Sequence, residues 1–265
     1  MSTYVMSDIH GQYFSYKKML KEIKFSDDDF LYVLGDCIDR GPDGISIIQD
    51  IMGRENAELI LGNHEIMLLN TMTFFREREQ DTPIFSGVTD EGLNPFEIWT
   101  HPCNGGEGTC LDLLGMQEDK RNAIEDFLRK CRLIKRIDIG ENKYHLSHSF
   151  SLKKAFGKEL FYEKTDKKTV ESIVWESIFD PTQELAEAKN VFYYKRDIYV
   201  VGHIFTQRLG NMDEKGKGKI FKSDSYRGHK VINVDCGMAL NSRSSRLGCL
   251  RLEDGAEYYV PLLPD

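Results

Sequence analysis

Apolar and polar positions alternate between two periods along the chain, and the period changes at regular intervals. Thr3-Tyr4-Val5-Met6, Phe30-Leu31-Tyr32-Val33-Leu34 and Leu59-Ile60-Leu61 have the length and content of buried strands. Between them the apolar residues take helical spacing. Tyr13, Tyr16, Leu20 and Ile23 share one helical face, and Ile45, Ile47, Ile48 and Ile51 share another after the turn Gly41-Pro42-Asp43-Gly44. A third helix is predicted from about Glu65 to Glu79. Successive strand–helix units imply parallel strands, because a parallel connection needs a crossover, and right-handed crossovers bring the strand C-termini to one edge.

Residues 80–110 hold Pro83, Gly87, Gly92, Pro95, Pro102 and Gly105-Gly106, which predicts a surface excursion. Ile124, Phe127, Leu128, Cys131 and Ile134 then fall on one helical stripe. After it the pattern is β-rich: Lys143 to Ser147, Ile198 to Val201, Val231 to Val234, and a hairpin of Leu247 to Leu252 with Ala256 to Val260. Residues 151–197 read as charged and partly helical, and 211–230, with Lys215-Gly216-Lys217-Gly218-Lys219, as a mobile loop. There is no internal repeat and no low-complexity tract.

With 265 residues, 40% of them hydrophobic, the chain suits a single domain over residues 1–265 with excursions at about 80–110 and 151–197. A net charge of -8 argues against long nucleic acid as a partner. Asp8, Lys17, Lys18 and Lys21 interrupt any signal-peptide core, and no apolar run approaches a membrane span. A soluble, cytoplasmic protein is expected, with no membrane partner. Six cysteines without a CxxC pair are expected to be reduced.

The chemistry sits directly after the predicted strands. Ser7-Asp8-Ile9-His10-Gly11, Gly35-Asp36-Cys37-Ile38-Asp39-Arg40-Gly41 and Gly62-Asn63-His64-Glu65 each place metal-ligand side chains at a strand end. Two divalent ions about 3.5–4 Å apart can activate a shared water and stabilise a leaving oxygen. Asp36, in a Gly-flanked turn, is the expected bridging carboxylate. Asp8 and His10, read as an extended segment projecting both side chains to one side, would complete the first ion's ligands. Asn63 would serve the second, with His148 and His203, which end later strands. Arg40 can fork onto phosphate oxygens, and Asp39 can orient His64 as proton donor to the leaving alkoxide. The expected nucleophile is hydroxide held by the two metals, and Glu65 is assigned a supporting hydrogen bond. Taken singly, each motif has a structural explanation as turn, cap or surface ion pair; their ordered series at strand ends is what points to one site.

These residues resemble the calcineurin-like metallophosphoesterases, and within them the phosphoprotein phosphatase family, whose motifs read GDxHG, GDxxDRG and GNHE, followed by a His in HAG and a His in GH. The match is close over residues 1–66 and looser afterwards. Trp99 with Asn104-Gly105-Gly106 and Thr109, Asn233-Val234-Asp235-Cys236-Gly237, and Arg246 to Leu252 look like the bacterial and phage branch, which includes Ser/Thr protein phosphatases and symmetrical dinucleoside tetraphosphatases. The resemblance implies an α/β fold with a central β-sandwich flanked by helices (α/β/β/α), and a dinuclear centre often occupied by manganese. By carry-over, Asp8, His10 and Asp36 hold one ion and Asp36, Asn63, His148 and His203 the other, with Arg40 on phosphate and His64/Asp39 handling the proton. Nitrogen and oxygen donors admit iron, zinc or magnesium as well.

Three positions depart from the family pattern. Ser7 replaces a Gly, Ser149-Phe150 replaces Ala-Gly, and Trp175 is followed by Glu176 with no nearby Arg to bind phosphate. Arg196 or Arg208 is the substitute expected from another loop. The function implied is hydrolysis of phosphomonoesters, first on phosphoserine or phosphothreonine in proteins. The alternative is a dinucleoside polyphosphate, such as diadenosine tetraphosphate, or another nucleotide or RNA end.

Overall fold

Strands that are apolar on both faces demand cover on both, and the architecture follows from that. The computed structural model describes residues 1–78, 94–150, 159–180, 196–209 and 216–263. A five-stranded sheet has β1 (Thr3–Met6) parallel to β2 (Phe30–Val33), and β2 parallel to β3 (Ala57–Leu59). On the other side of β1, β10 (Arg246–Arg251) and β11 (Glu257–Pro261) pair antiparallel as the predicted hairpin. The order is β11-β10-β1-β2-β3.

The second sheet contains β4 (Arg132–Ile139), β5 (Asn142–Ser147), β6 (Leu160–Phe161), β7 (Ile198–Val201), β8 (Phe221–Tyr226) and β9 (His229–Asn233), in the order β6-β4-β5-β7-β9-β8. Its central strands β5, β7 and β9 are parallel. Just beyond β3, Ile60 bridges in parallel to Arg132 at the start of β4, which links the two sheets.

Alternation along the strands sorts the side chains into three cores. Val5, Tyr32, Leu34, Leu146, Val200 and Leu250 fill the space between the sheets. Tyr4, Met6, Leu31 and Val33 face outward from the first sheet. They meet the apolar faces of α1 (Tyr13–Glu22), α2 (Gly44–Met52), α3 (Asn63–Arg78) and α6 (Glu118–Lys130). Tyr199, Val201, Val231 and Phe221 form a third cluster on the outer face of the second sheet. The expected central β-sandwich with flanking helices is the fold observed.

Three expectations are corrected. The apolar stripe assigned to one helix ends with that helix at Lys130. Cys131 turns extended (φ -64°, ψ 159°), and Ile134 belongs to β4, where Arg132 bridges to the first sheet. Within 80–110, residues 95–100 form α4 (Pro95–Thr100) and α5 (Glu107–Leu114) starts at 107. Asn94 caps α4 in a reciprocal capping box with Glu97, so the Pro95 read as a turn-former occupies the first helical position. The supposed mobile loop at 211–230 holds β8 and the start of β9, joined at a Gly228 turn with φ of 83°. Within 151–197, β6 and α7 (Lys167–Trp175) are described; residues 79–93, 151–158, 181–195 and 210–215 lie outside the described segments.

Candidate metal centre

Each motif residue follows a parallel strand. Asp8 comes after β1, Asp36 after β2, and Asn63 after β3 at the start of α3. From the other sheet come His148 after β5, His203 after β7 and Asp235 after β9. The edge where both sets of parallel strands end is thus one site, as open α/β sheets favour. The first two loops continue the ladder beyond the strands: the amides of Asp8, His10 and Gly11 donate to the carbonyls of Gly35, Asp36 and Cys37 at 3.0, 2.9 and 2.8 Å. Asp8 and His10 are not extended, as the sequence reading had them. Both adopt left-handed backbone, with φ of 53° and 47°. A left-handed pair between the strand end and the helix turns both side chains into the cleft.

Two groups of donor atoms meet at Asp36. The ligand atoms of Asp36, His148 and His203 all lie within 4.8 Å of one another, as do those of His10, Asp36 and His64. His148 Nε2 is 2.9 Å from Asn63 Oδ1, 3.2 Å from His203 Nδ1 and 3.5 Å from Asp36 Oδ1. His203 Nδ1 is 3.0 Å from Asn63 Oδ1. On the other side, His10 Nε2 is 3.7 Å from Asp36 Oδ2 and 3.9 Å from Asp8 Oδ1.

The tautomers follow from the outer partners. His148 Nδ1 donates to the Leu34 carbonyl at 2.7 Å, His10 Nδ1 to the Ile38 carbonyl at 3.2 Å, and His203 is bonded by the Trp175 backbone. The cleft-facing nitrogens are therefore lone-pair donors, as are the carboxylate and amide oxygens beside them. Four lone pairs at 2.9–3.5 Å repel unless a cation lies among them. The donor chemistry fits the expected divalent ions.

Electrostatics agree. Burial raises the Asp36 carboxyl well above its usual range, with the neighbouring Asp8 and Glu65 carboxylates adding to it, and burial likewise raises Asp8. Burial lowers His10 and His203 well below the ordinary histidine value, so both are held neutral and ready to ligate. Glu65 is not aimed at the cluster. Its carboxylate accepts from the amides of Asp36, Cys37 and Gly62 at 2.9, 2.7 and 2.9 Å, the supporting role expected of it.

His64 occupies a different network. Its Nδ1 is 2.7 Å from Asp39 Oδ2, which also accepts the Trp99 indole N–H at 2.9 Å. The Asp39 amide donates to Thr109 Oγ1 at 3.1 Å. Burial raises the Asp39 carboxyl to about 7 and lowers His64 well below its usual value. His64 Nε2 is left facing the cleft, 3.8 Å from Asp36 Oδ2. Arg40 reaches within 3.4 Å of His10 Nε2, and its amide donates to Gly105 at 3.0 Å, which ties the second motif to the segment before α5.

Sequence reasoning missed two parts of the site. Asp235 lines the cleft, 2% exposed, its carboxyl raised well above the normal range by burial and then by Asp8. It was quoted only as part of a motif, although its place after a parallel strand is the same signal that singled out His203. Ser7, read as a small departure, adds a hydroxyl that donates to Asp8 and to the Leu34 carbonyl. Of the two arginines expected as substitutes, Arg208 lines the cleft and Arg196 does not.

The sequence profile of the calcineurin-like phosphoesterase family matches residues 1–207, and the chain belongs to that family. A symmetrical bis(5'-nucleosyl)-tetraphosphatase of Buchnera aphidicola subsp. Schizaphis graminum is 39% identical over 83 residues, covering 31% of this chain and 30% of that one. The chain thus matches about a third of that relative's length. Among solved structures, a candidate diadenosine tetraphosphatase superposes with a TM-score of 0.57 at 16% identity, over 99% of this chain and 94% of that one. A protein serine/threonine phosphatase of Saccharomyces cerevisiae gives 0.56 at 12% identity, over 100% and 81%. Likeness at these identities establishes the shared fold. Among the described residues no helix is long and apolar enough to cross a membrane.

Proposed function

We propose that the chain is a metal-dependent hydrolase of phosphomonoesters, acting first on phosphoserine and phosphothreonine in proteins. The observation that carries this reading is the convergence of lone pairs from Asn63, His148, His203 and Asp36, with Asp36 shared by a second donor group. Asp8, His10 and Asp36 would hold one divalent ion and Asp36, Asn63, His148 and His203 the other, manganese being the first choice. Bound there, the pair supplies Lewis acidity and an activated water.

The side chains do the rest. Arg40, at the cleft wall, holds the non-bridging phosphoryl oxygens through its planar fork. Neutral in the empty cleft, His64 takes up a proton when a doubly negative ester binds beside it, and Nε2 then gives that proton to the departing alkoxide, while Asp39, fixed by Trp99, keeps the ring oriented and supports the imidazolium charge. The cleft, about 790 Å³ and open to solvent, admits a side chain presented by another protein.

The test is turnover of p-nitrophenyl phosphate and of a phosphoserine peptide with and without added manganese. Activity should require the metal and vanish with a chelator. His64→Asn should cost about 10²-fold or more on the peptide, whose alkoxide needs a proton, and far less on the nitrophenolate ester. Equal rates for both proteins on the peptide would remove His64 as the acid.

A second reading has its own support. A symmetrical bis(5'-nucleosyl)-tetraphosphatase is 39% identical to this chain over 83 residues, so a dinucleoside polyphosphate is the competing substrate. Diadenosine tetraphosphate, assayed beside the peptide at matched metal, separates the two.

A further inference from the structure

Of the strand ends that meet at the cleft, one carries a carboxylate with no part in the phosphoryl step. Along the first sheet the order is Asn63, Asp36, Asp8, after β3, β2 and β1; along the second it is His148, His203, Asp235, after β5, β7 and β9. The two rows face each other in that order. A Cβ on Gly62 would come within 3.0 Å of His148 Cε1, and one on Gly202, next to His203, within 2.2 Å of Asp8 Oδ2. Asp235 therefore closes the second row at the Asp8 end.

Asp235 is held on every side but one. Its amide donates to Asn233 Oδ1 at 2.9 Å, its carbonyl accepts from Thr206 N at 3.0 Å, and its Oδ1 accepts from Gly237 N at 2.9 Å. Asn233 is itself tied to the Ile204 carbonyl at 2.6 Å. The residue is 2% exposed and lines the cleft, yet among the described residues Oδ2 accepts no hydrogen bond and no Lys, Arg or His pairs with the carboxylate. Buried carboxylates are ordinarily paired or serve a metal. Most of the charge around this one has the wrong sign. Burial raises its carboxyl most, Asp8 and Asp36 add to that, and Arg40 offsets less than either. A group placed in this way destabilises the empty cleft unless a cation comes near.

The two ion sites are unequal in protein donors. Asp36, Asn63, His148 and His203 would hold one ion, while Asp8, His10 and Asp36 alone would hold the other. Asp8 offers that second set one oxygen, because its Oδ2 already accepts from the Ser7 hydroxyl and from His203 N at 3.0 Å. Its Oδ1 is left, 3.9 Å from His10 Nε2. Asp8 and Asp36 each come within 4.0 Å of a cleft histidine, and among the described residues Asp235 does not. It stands behind the direct donors, where a carboxylate reaches an ion through water.

We propose that Asp235 is a further metal-site residue, its free Oδ2 accepting a hydrogen bond from the water shell of the ion held by Asp8, His10 and Asp36 and so tightening that site alone. This rests on the two-ion reading and adds a residue to it.

The experiment titrates the full metal-free chain with manganese alone at fixed pH and reads free and bound ion by electron paramagnetic resonance. Asp235→Asn keeps the size of the side chain and an oxygen for Gly237, and removes the charge. Two ions should still bind, one with affinity lowered about 10–100-fold and the other within about twofold of wild type. Two unchanged affinities, or two lowered alike, overturn the inference. In His10→Ala, which lacks a ligand of the Asp8-side ion, adding Asp235→Asn should leave the remaining affinity within about twofold. A further fall there would put Asp235 at the other ion and overturn the assignment. Thermal unfolding of the metal-free proteins separates a site role from a structural one. Asp235→Asn should melt at the same or a higher temperature, because it relieves repulsion by Asp8 and Asp36; a lower one would make Asp235 a folding residue and overturn the proposal. A wild type that binds no ion sinks the metal reading itself, an outcome distinct from a wild type with two ions and a variant that matches it.

Discussion

Nine non-glycine residues with positive φ occur among the described segments, and six of them are Asp8, His10, Asp36, Asp39, Arg40 and His203. Each costs of order 1–3 kcal/mol and persists only where its surroundings hold it, and such strain concentrates where side chains must be aimed. The identities of these residues were legible in the sequence because metal-ligand types recur after strands. Their conformation was not, because an L residue in left-handed backbone carries no mark in a one-letter code. Away from the cleft, His145 is 3% exposed, and among the described residues neither ring nitrogen has a hydrogen-bond partner. Burial, with Arg136 nearby, lowers it to about 3. The unfolded chain therefore takes up a proton below pH 6.5 that the folded chain refuses. Stability is whole above that value and falls as pH drops from 6.5 toward 3. Urea unfolding at pH 7.5 and pH 5 should show His145→Leu losing less stability than wild type on acidification; parallel losses would exclude His145 as a source.

At the scale of elements, the site depends on how strand ends are clipped together. Three buried amides, from Asp36, Cys37 and Gly62, end on the single carboxylate of Glu65. Glu65→Ala strands all three at about 1–3 kcal/mol each, so urea unfolding should report a loss of at least about 3 kcal/mol; a loss below 1 kcal/mol would mean that water replaces the carboxylate. Gly202, just before His203, leaves no room for a Cβ, which would strike Ser7 Oγ and Asp8 Oδ2. Gly202→Ala should keep a native circular dichroism spectrum yet weaken manganese binding by about 10–100-fold, as loss of a ligand's support does; unchanged affinity would show that Asp8 is not needed at the metal. The β1–α1–β2–α2–β3 run was legible from periodicity alone. The end of α6 was not, because Cys131 and Ile134 sit at helical spacing by coincidence and both pack in the same core. The strand β8 was hidden for another reason: Lys222, Asp224 and Ser225 are exposed, so it lacks an apolar run.

Across the whole molecule, two sheets contribute three parallel strand ends apiece to one cleft. The first sheet's share follows from the crossover rule and was readable from its strand–helix rhythm. The second sheet's share was found through histidines at strand ends, and it could not be placed opposite the first without the bridge of Ile60 to Arg132 and the shared core of Val5, Leu34, Leu146 and Val200. Asp235 escaped notice for the same reason. Asp36 is the point at which the two halves meet, and a pair of ions bridged by it is the central claim. The most direct test is to load the purified chain with manganese, count the bound ions by elemental analysis and record the electron paramagnetic resonance spectrum beside that of Asp36→Asn. Two ions per chain with an exchange-coupled spectrum, both features lost in the variant, is the predicted result. One ion per chain with the spectrum of an isolated ion, or coupling that survives in Asp36→Asn, would contradict it.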